Sequence, residues 1–350
     1  MKPFRKGTSK KMAHLFSVAV AGAILSSPIV AQATIIDWSN SNAGQIESYN
    51  TATSSNTVLD ANAPGPGNLI SVNNGNSIIY ASNLNSGSNL YIYNIQTKTN
   101  TILASGSSLS NLNNSISSIA LTPSGQSVLV SGGGDVGNVD KVNISTGAVS
   151  LFMSGGTSVL STTLADPSGI AFTPSGNLFL NFAGGIDQIN YQSGTVSKTN
   201  STYGFLTSLT YDPTTKYLYA TPSITLGNSP QDAIIQIDPT TLSENLITLS
   251  GTGLTTQFGF AGIGATSNGN LIIGDYLNTQ NLLEYFTATN TTISLAQAQG
   301  ISSLMIEGGS VGGGSNLTGT PEPGTFALFG TGILAMVLFS LYSRRKAESC

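Results

Sequence analysis

Histidine is all but missing from this chain, and its one copy, His14, stands near the start. Ser-His-Asp and Cys-His catalysis and His-ligated zinc or iron are therefore excluded downstream. The single cysteine, Cys350, is the last residue, so no disulfide can staple the interior. Between Thr34 and Gly319 there is no arginine, and the only cations are Lys98, Lys141, Lys198 and Lys216. The same stretch holds fourteen Asp and Glu, so four minus fourteen leaves a net charge of −10. A surface so poor in cations cannot neutralise phosphates, and no nucleic-acid partner is expected. An enzyme built here would have to work with carboxylates, Tyr, Lys or bound calcium.

Long apolar runs are scarce too, and they lie at the two ends. Lys2, Arg5, Lys6, Lys10 and Lys11 precede the apolar segment Leu15–Leu25, and Ala31-Gln32-Ala33 follows as a small-x-small site. This is the layout of a secretory signal peptide over residues 1–33, with cleavage after Ala33. At the other end Phe326 to Tyr342, with Leu334 at its centre, is an uncharged run of 17 residues. That is the lower limit for a helix crossing about 30 Å of hydrocarbon. Arg344, Arg345 and Lys346 follow directly, a basic stop that would hold the C-terminus in the cytoplasm and the rest outside. Ahead of the run stands Pro321-Glu322-Pro323, where two prolines keep Glu322 extended and accessible.

The order of Pro-Glu-Pro, short apolar helix and basic cluster resembles the PEP-CTERM sorting signal, placed here over residues 320–350. The resemblance implies an exosortase-type processing enzyme as partner and Pro321, Glu322 and Pro323 as its recognition residues. It implies passage through the inner membrane on the C-terminal helix, then the cell surface or extracellular matrix, with an exopolysaccharide or other surface glycan as a possible partner. Gly324 stands where a small hydroxyl residue is usual, with Thr325 next.

The middle is rich in Asn, Ser, Thr and Gly, a bias that can mean disorder. Here polar stretches alternate with apolar β-like runs on a regular plan. Pro167 to Lys198 contains four such runs, with Pro174-Ser175-Gly176 and Gln192-Ser193-Gly194 as turns. The turn prolines Pro123, Pro174 and Pro213 are spaced by 51 and 39 residues. Four strands recurring at that period predict an all-β β-propeller over residues 34–307. Five copies are complete. Ile35–Trp38, Ile46–Asn50 and Thr57–Leu59 read as the second to fourth strands of a sixth, and Ile301–Ile306 as its opening strand. Six blades are expected, with seven as the alternative. Pro167–Asn181 resembles blades of NHL-like and gluconolactonase-like propellers, which implies architecture and little about function. Residues 308–319 read as a Gly/Ser-rich flexible spacer.

Candidate sites are few. Asp135, Asn138 and Asp140 could offer oxygens to calcium, although a polar turn explains them as well. Asp166, Asp212 and Asp275 could converge in a central channel, as carboxylates do in gluconolactonase-like enzymes, but Asp-Pro pairs are also ordinary turns. Tyr80, Tyr91, Tyr93, Tyr191, Tyr203, Tyr211, Tyr217, Tyr219, Tyr276 and Tyr285 could stack on sugars or serve as packing. The leading expectation is a non-enzymatic binding or structural module without a resident cofactor. A metal-dependent lactonase or lyase is the alternative.

Overall fold

The computed structural model describes residues 33–82, 88–112, 116–132, 137–154, 168–182, 185–202, 206–222, 233–251, 260–275, 281–298, 301–307, 310–311 and 314–315. The chain divides into compact units Met1–Ala33 and Thr34–Cys350, and the strands below belong to the second.

Strands B of the blades, one step out from the axis, show why a ring forms. Ser77–Ser82, Ser127–Gly132 and Leu178–Phe182 are buried at every position. They are apolar on both faces, so a single face cannot be turned to water, and each sheet must be covered on both sides. The fourth strands, such as Thr195–Asn200, are mostly exposed and polar. A wedge buried inside and wet outside can only be satisfied by neighbours on each side, which is the propeller arrangement.

The closing blade is built from β1 (Ile35–Asn40), β2 (Gln45–Asn50), β3 (Ser55–Asp60) and β24 (Ile301–Ile306). Blade I is β4 (Pro66–Val72), β5 (Ser77–Ser82), β6 (Asn89–Asn94) and β7 (Thr99–Ala104). Blade II is β8 (Ile116–Leu121), β9 (Ser127–Gly132), β10 (Val139–Asn143) and β11 (Val149–Met153). Blade III is β12 (Gly169–Phe172), β13 (Leu178–Phe182), β14 (Gly185–Asn190) and β15 (Thr195–Asn200). Blade IV is β16 (Leu206–Tyr211), β17 (Leu218–Pro222), β18 (Ala233–Ile237) and β19 (Glu244–Thr248). Blade V is β20 (Phe260–Ala265), β21 (Leu271–Asp275), β22 (Asn281–Phe286) and β23 (Thr291–Gln297).

Within each blade the order runs A-B-C-D with antiparallel pairing, and the closing sheet has the order β24-β1-β2-β3. The innermost strands β4, β8, β12, β16, β20 and β24 touch in succession and return to β4, so the ring has six blades. The split sixth blade is the one expected from the sequence. It leaves no open sheet edge at the seam. Its register places Asp37 opposite Met305 and Trp38 opposite Leu304, and the Glu307 amide donates to the Ile35 carbonyl at 2.9 Å.

The core lies between blades. Ala120 and Leu129 of blade II pack with Ile170, Phe172 and Leu180 of blade III. Ala171 and Phe179 on the other face of blade III pack with Leu209, Leu218 and Ile235 of blade IV.

The polar residues that dominate the composition hold the turns. In the C–D turns, Asn50, Asn94, Asn143, Asn190 and Asp238 each accept two backbone N–H bonds, from the residues two and three further on. Four residues after each stands a left-handed residue: Ser54, Lys98, Gly147, Gly194 and Leu242. In blade V, Phe286 occupies the capping position and Asn290 the left-handed one. An Asx turn needs a short side-chain acceptor, so an Asn-rich chain here is a turn-rich chain.

The segment expected to be a flexible spacer holds two further short strands, β25 (Ser310–Val311) and β26 (Gly314–Ser315). They form a hairpin, and β25 pairs with β20, Val311 opposite Gly264. β25 also lies beside β16 and β24, and β26 beside β8 and β12. The hairpin therefore sits among the innermost strands, within the central channel.

Candidate functional site

Most residues singled out in the two tails lie outside the described residues. These are Ala31, Pro321, Glu322, Pro323, the run Phe326 to Tyr342 with Leu334, and Arg344, Arg345 and Lys346. Ala33 is described and half-buried. Among the described residues no helix is long and apolar enough to cross a membrane.

Asp135 of the Gly-rich loop is also outside the described residues. Asp140 is fully buried; its Oδ1 accepts the Asn111 amide at 3.1 Å. Burial raises its pKa, and the Asn111 bond opposes that shift. Asn138 donates to the Asn111 carbonyl at 2.8 Å. Both side chains thus hold Ser110–Leu112, a single 3-10 turn, against blade II. Among the described residues no group of three or more Asp, Glu, His or Cys could hold a metal ion.

The two described channel carboxylates, Asp212 and Asp275, do not converge. Asp212 follows the end of β16, on the face that carries the A–B turns, whereas Asp275 ends β21 and so lies on the opposite face. Asp212 is fully buried and serves its own turn: Oδ1 accepts the Thr214 amide at 2.8 Å and Oδ2 the Thr215 hydroxyl at 2.6 Å. The turn reading of Asp212-Pro213 is the one the structure bears out. Asp166 lies outside the described residues.

The tyrosines divide. Tyr80, Tyr93, Tyr219 and Tyr285 are buried packing. Tyr80 stacks on Tyr91 at 5.3 Å, and its hydroxyl donates to Asn100 Oδ1 at 3.0 Å. Tyr203 and Tyr276 lie outside the described residues. Among the described tyrosines, Tyr217 is the most exposed, at 38%.

Two clefts were not foreseen from the sequence. One, of about 470 Å³, lies between blades III and IV and is lined by Asn177, Gln188, Lys198, Tyr211, Lys216, Tyr217 and Asp238, among others. The other, of about 540 Å³, lies between blades II and III and includes Pro123, Ser175, Asn177, Gln188 and Tyr191. Both are on the face of the A–B and C–D turns. They share Ser175, Asn177 and Gln188, so together they form one furrow across blade III.

The family model of the PEP-CTERM protein-sorting motif matches residues 320–346. This chain carries that sorting motif. The match covers the tail and not the propeller. A search of curated proteins by sequence gives no match. Solved structures resemble the ring. The crystal structure of a nidogen/laminin complex superposes with a TM-score of 0.59 at 12% identity, covering 79% of this chain and 98% of that one. TolB from Acinetobacter baumannii gives 0.56 at 15%, covering 86% and 74%. Hydrazine synthase from Kuenenia stuttgartiensis gives 0.53 at 15%, covering 71% and 72%. At such identities the likeness is one of fold alone. The sorting motif implies export and sorting to the cell envelope or surface.

Proposed function

We propose that this is an exported bacterial surface or matrix protein whose tail is processed by an exosortase-type enzyme, and whose propeller is a binding module displayed by that route. The observation that carries the reading is the sorting motif at residues 320–346 on a chain whose described part is a closed six-bladed ring. Leu15–Leu25 with Ala31 and Ala33 acts as the export signal and is removed. The run Phe326 to Tyr342 holds the precursor in the inner membrane, with Arg344, Arg345 and Lys346 as its stop, until Pro321–Pro323 is recognised.

A non-catalytic role for the ring is supported by the fate of two of its candidate acidic groups. Asp212 is committed to its turn, Asp140 to Asn111, and the channel carries the β25–β26 hairpin. A glycan is the partner class that fits display in a matrix. The test is intact mass and fractionation of the protein from its native host. A C-terminus between Pro321 and Thr325, in the surface or matrix fraction, is the expected result. A full-length tail in the inner membrane would overturn the processing claim.

A further inference from the structure

The four lysines of the acidic ring are not scattered. Lys198 and Lys216 line the cleft between blades III and IV. Lys141 stands 5.4 Å from the ring centroid of Tyr191, which lines the adjoining cleft. Only Lys98 is elsewhere. In a domain of net charge −10, chance would favour acidic groups along any given furrow, yet this one holds two of the four cations in its lining and a third beside it. Among the described residues no carboxylate forms an ion pair with Lys198 or Lys216. The Lys198 ammonium donates to the Thr240 carbonyl. Asp238 shares the cleft, its Oδ1 accepting the amides of Thr240 and Thr241, so the lining carries two ammonium groups against one carboxylate. Those bonds to Thr240 and Thr241 hold its carboxyl below the usual range.

The rest of the lining is hydroxyl, amide and phenol. Gln188 and Lys198 are cross-strand partners on the outer half of blade III, so an amide and an ammonium project side by side. Asn177 and Ser175 stand at the A–B turn between the two clefts, 3.2 Å apart, and Tyr217 offers a half-exposed ring at one end. Amides and hydroxyls match sugar hydroxyls, aromatic rings match sugar faces, and lysines match carboxylate substituents. The shape is an open trough, which suits an extended chain better than a compact ligand.

We infer that this furrow binds an acidic polysaccharide, with Lys198 and Lys216 forming the subsite for a uronate carboxylate and Asn177, Gln188 and Tyr217 holding the neighbouring sugars. The inference rests on reading the propeller as a displayed binding module.

The test uses the full-length chain in detergent, titrated with oligogalacturonate, with a neutral cello-oligosaccharide of the same length, and with inorganic sulfate. The expected result is binding of the acidic oligosaccharide alone, weakened by added salt. Replacing both lysines (Lys198→Gln with Lys216→Gln) should weaken it by about tenfold or more, the usual scale for losing charged hydrogen bonds. Tyr217→Ala should weaken it less, and Lys98→Gln not at all. Equal binding of the neutral oligosaccharide, unchanged binding in the double lysine variant, binding of sulfate as tight as of the oligosaccharide, or no binding of any probe would each overturn the inference. An unchanged melting temperature in the double lysine variant guards against misfolding as the cause. Correct C-terminal processing in the host combined with no glycan binding would sink the furrow and leave the sorting reading standing. The reverse pattern would separate them the other way.

Discussion

Blade III and the closing blade have the same four-strand plan, yet their second strands are built on different chemistry. In blade III, Phe179 faces Ala171 across the ladder and is fully buried among Leu209 and Leu218. The equivalent pairs in blades I, II, IV and V are Ile79 with Ile70, Leu129 with Ala120, Tyr219 with Thr210 and Ile272 with Gly264. In the closing blade the pair is Asp37 with Met305, and Asp37 is just as buried. Neither of its oxygens has a hydrogen bond of normal geometry, and the adjacent Trp38 Nε1 is also buried without a partner. The seam where the two ends of the chain meet thus tolerates a buried carboxyl at a position that is never charged in the other blades. Blades made from continuous chain gain their pairing at short loop cost. The seam joins strands more than 260 residues apart, as Ser39 and Ser302 show at a separation of 263. Its closure is where a change in one group can act on the whole ring.

The sharpest way to break the comparison is to move the acid. Phe179→Asp would put into blade III what the seam already holds. It would lose a buried aromatic ring, worth about 3–5 kcal/mol for truncation to Ala, and add an unpaired carboxyl. The expected outcome is loss of cooperative unfolding at neutral pH, read by near-UV circular dichroism during thermal melts. Retention of a native melt would mean that blades tolerate acids generally and that the seam is not special.

Next in size is the pH dependence of the seam itself. Burial and, secondarily, the Glu307 charge push the Asp37 carboxyl up from 3.8 to about 8, with the Ser48 hydroxyl pulling the other way. Burial raises Glu307 as well. The sign follows from linkage. Below pH 3.8 Asp37 is protonated in both folded and unfolded chains, so its contribution is fully present. Between there and pH 8 the folded chain keeps a proton that the unfolded chain releases, so stability falls as pH rises. A shift of this size corresponds to a ceiling of about 6 kcal/mol. Asp37→Leu, which installs the residue type found at Leu129, should be stabilising, with a gain that grows from pH 4 to pH 8 in urea midpoints. A gain independent of pH would show that the acid is not charged in the way described.

This contrast also explains what the sequence could and could not disclose. The split blade was legible because turn residues punctuate the apolar runs at fixed offsets, and because Ile301–Ile306 repeats the pattern of Ile116–Leu121. The buried Asp37 was not, since Ile-Ile-Asp-Trp reads locally as a strand with one solvent-facing acid. The β25–β26 hairpin was hidden for another reason: its pairing to β20 is made by backbone groups in a Gly-rich stretch, which has no side-chain pattern to read. The furrow was invisible because no linear motif encodes it. Lys198 and Lys216 come from different blades and look, one at a time, like ordinary solvated charges. The sorting tail is the opposite case, three local features in fixed order, and its match to a known motif needed no fold.

The smallest effect separates the two blades at their outer turns. Gly194 of blade III and Ser54 of the closing blade occupy the same left-handed position, at φ of 68° and 51°. Glycine adopts that conformation freely, whereas a residue with a Cβ is held there at a cost of about 1 kcal/mol. At Gly194 an added Cβ would also stand 2.7 Å from the Phe152 carbonyl oxygen of blade II. Gly194→Ala should therefore destabilise by about 2 kcal/mol, the strain and the contact acting together. Ser54 is exposed and its turn is already held by Asn50, so Ser54→Gly should stabilise by up to about 1 kcal/mol. Chemical denaturation of the two variants side by side decides the matter. Opposite signs would show that the seam carries turn strain that blade III avoids; equal signs would place the strain elsewhere in the closing blade.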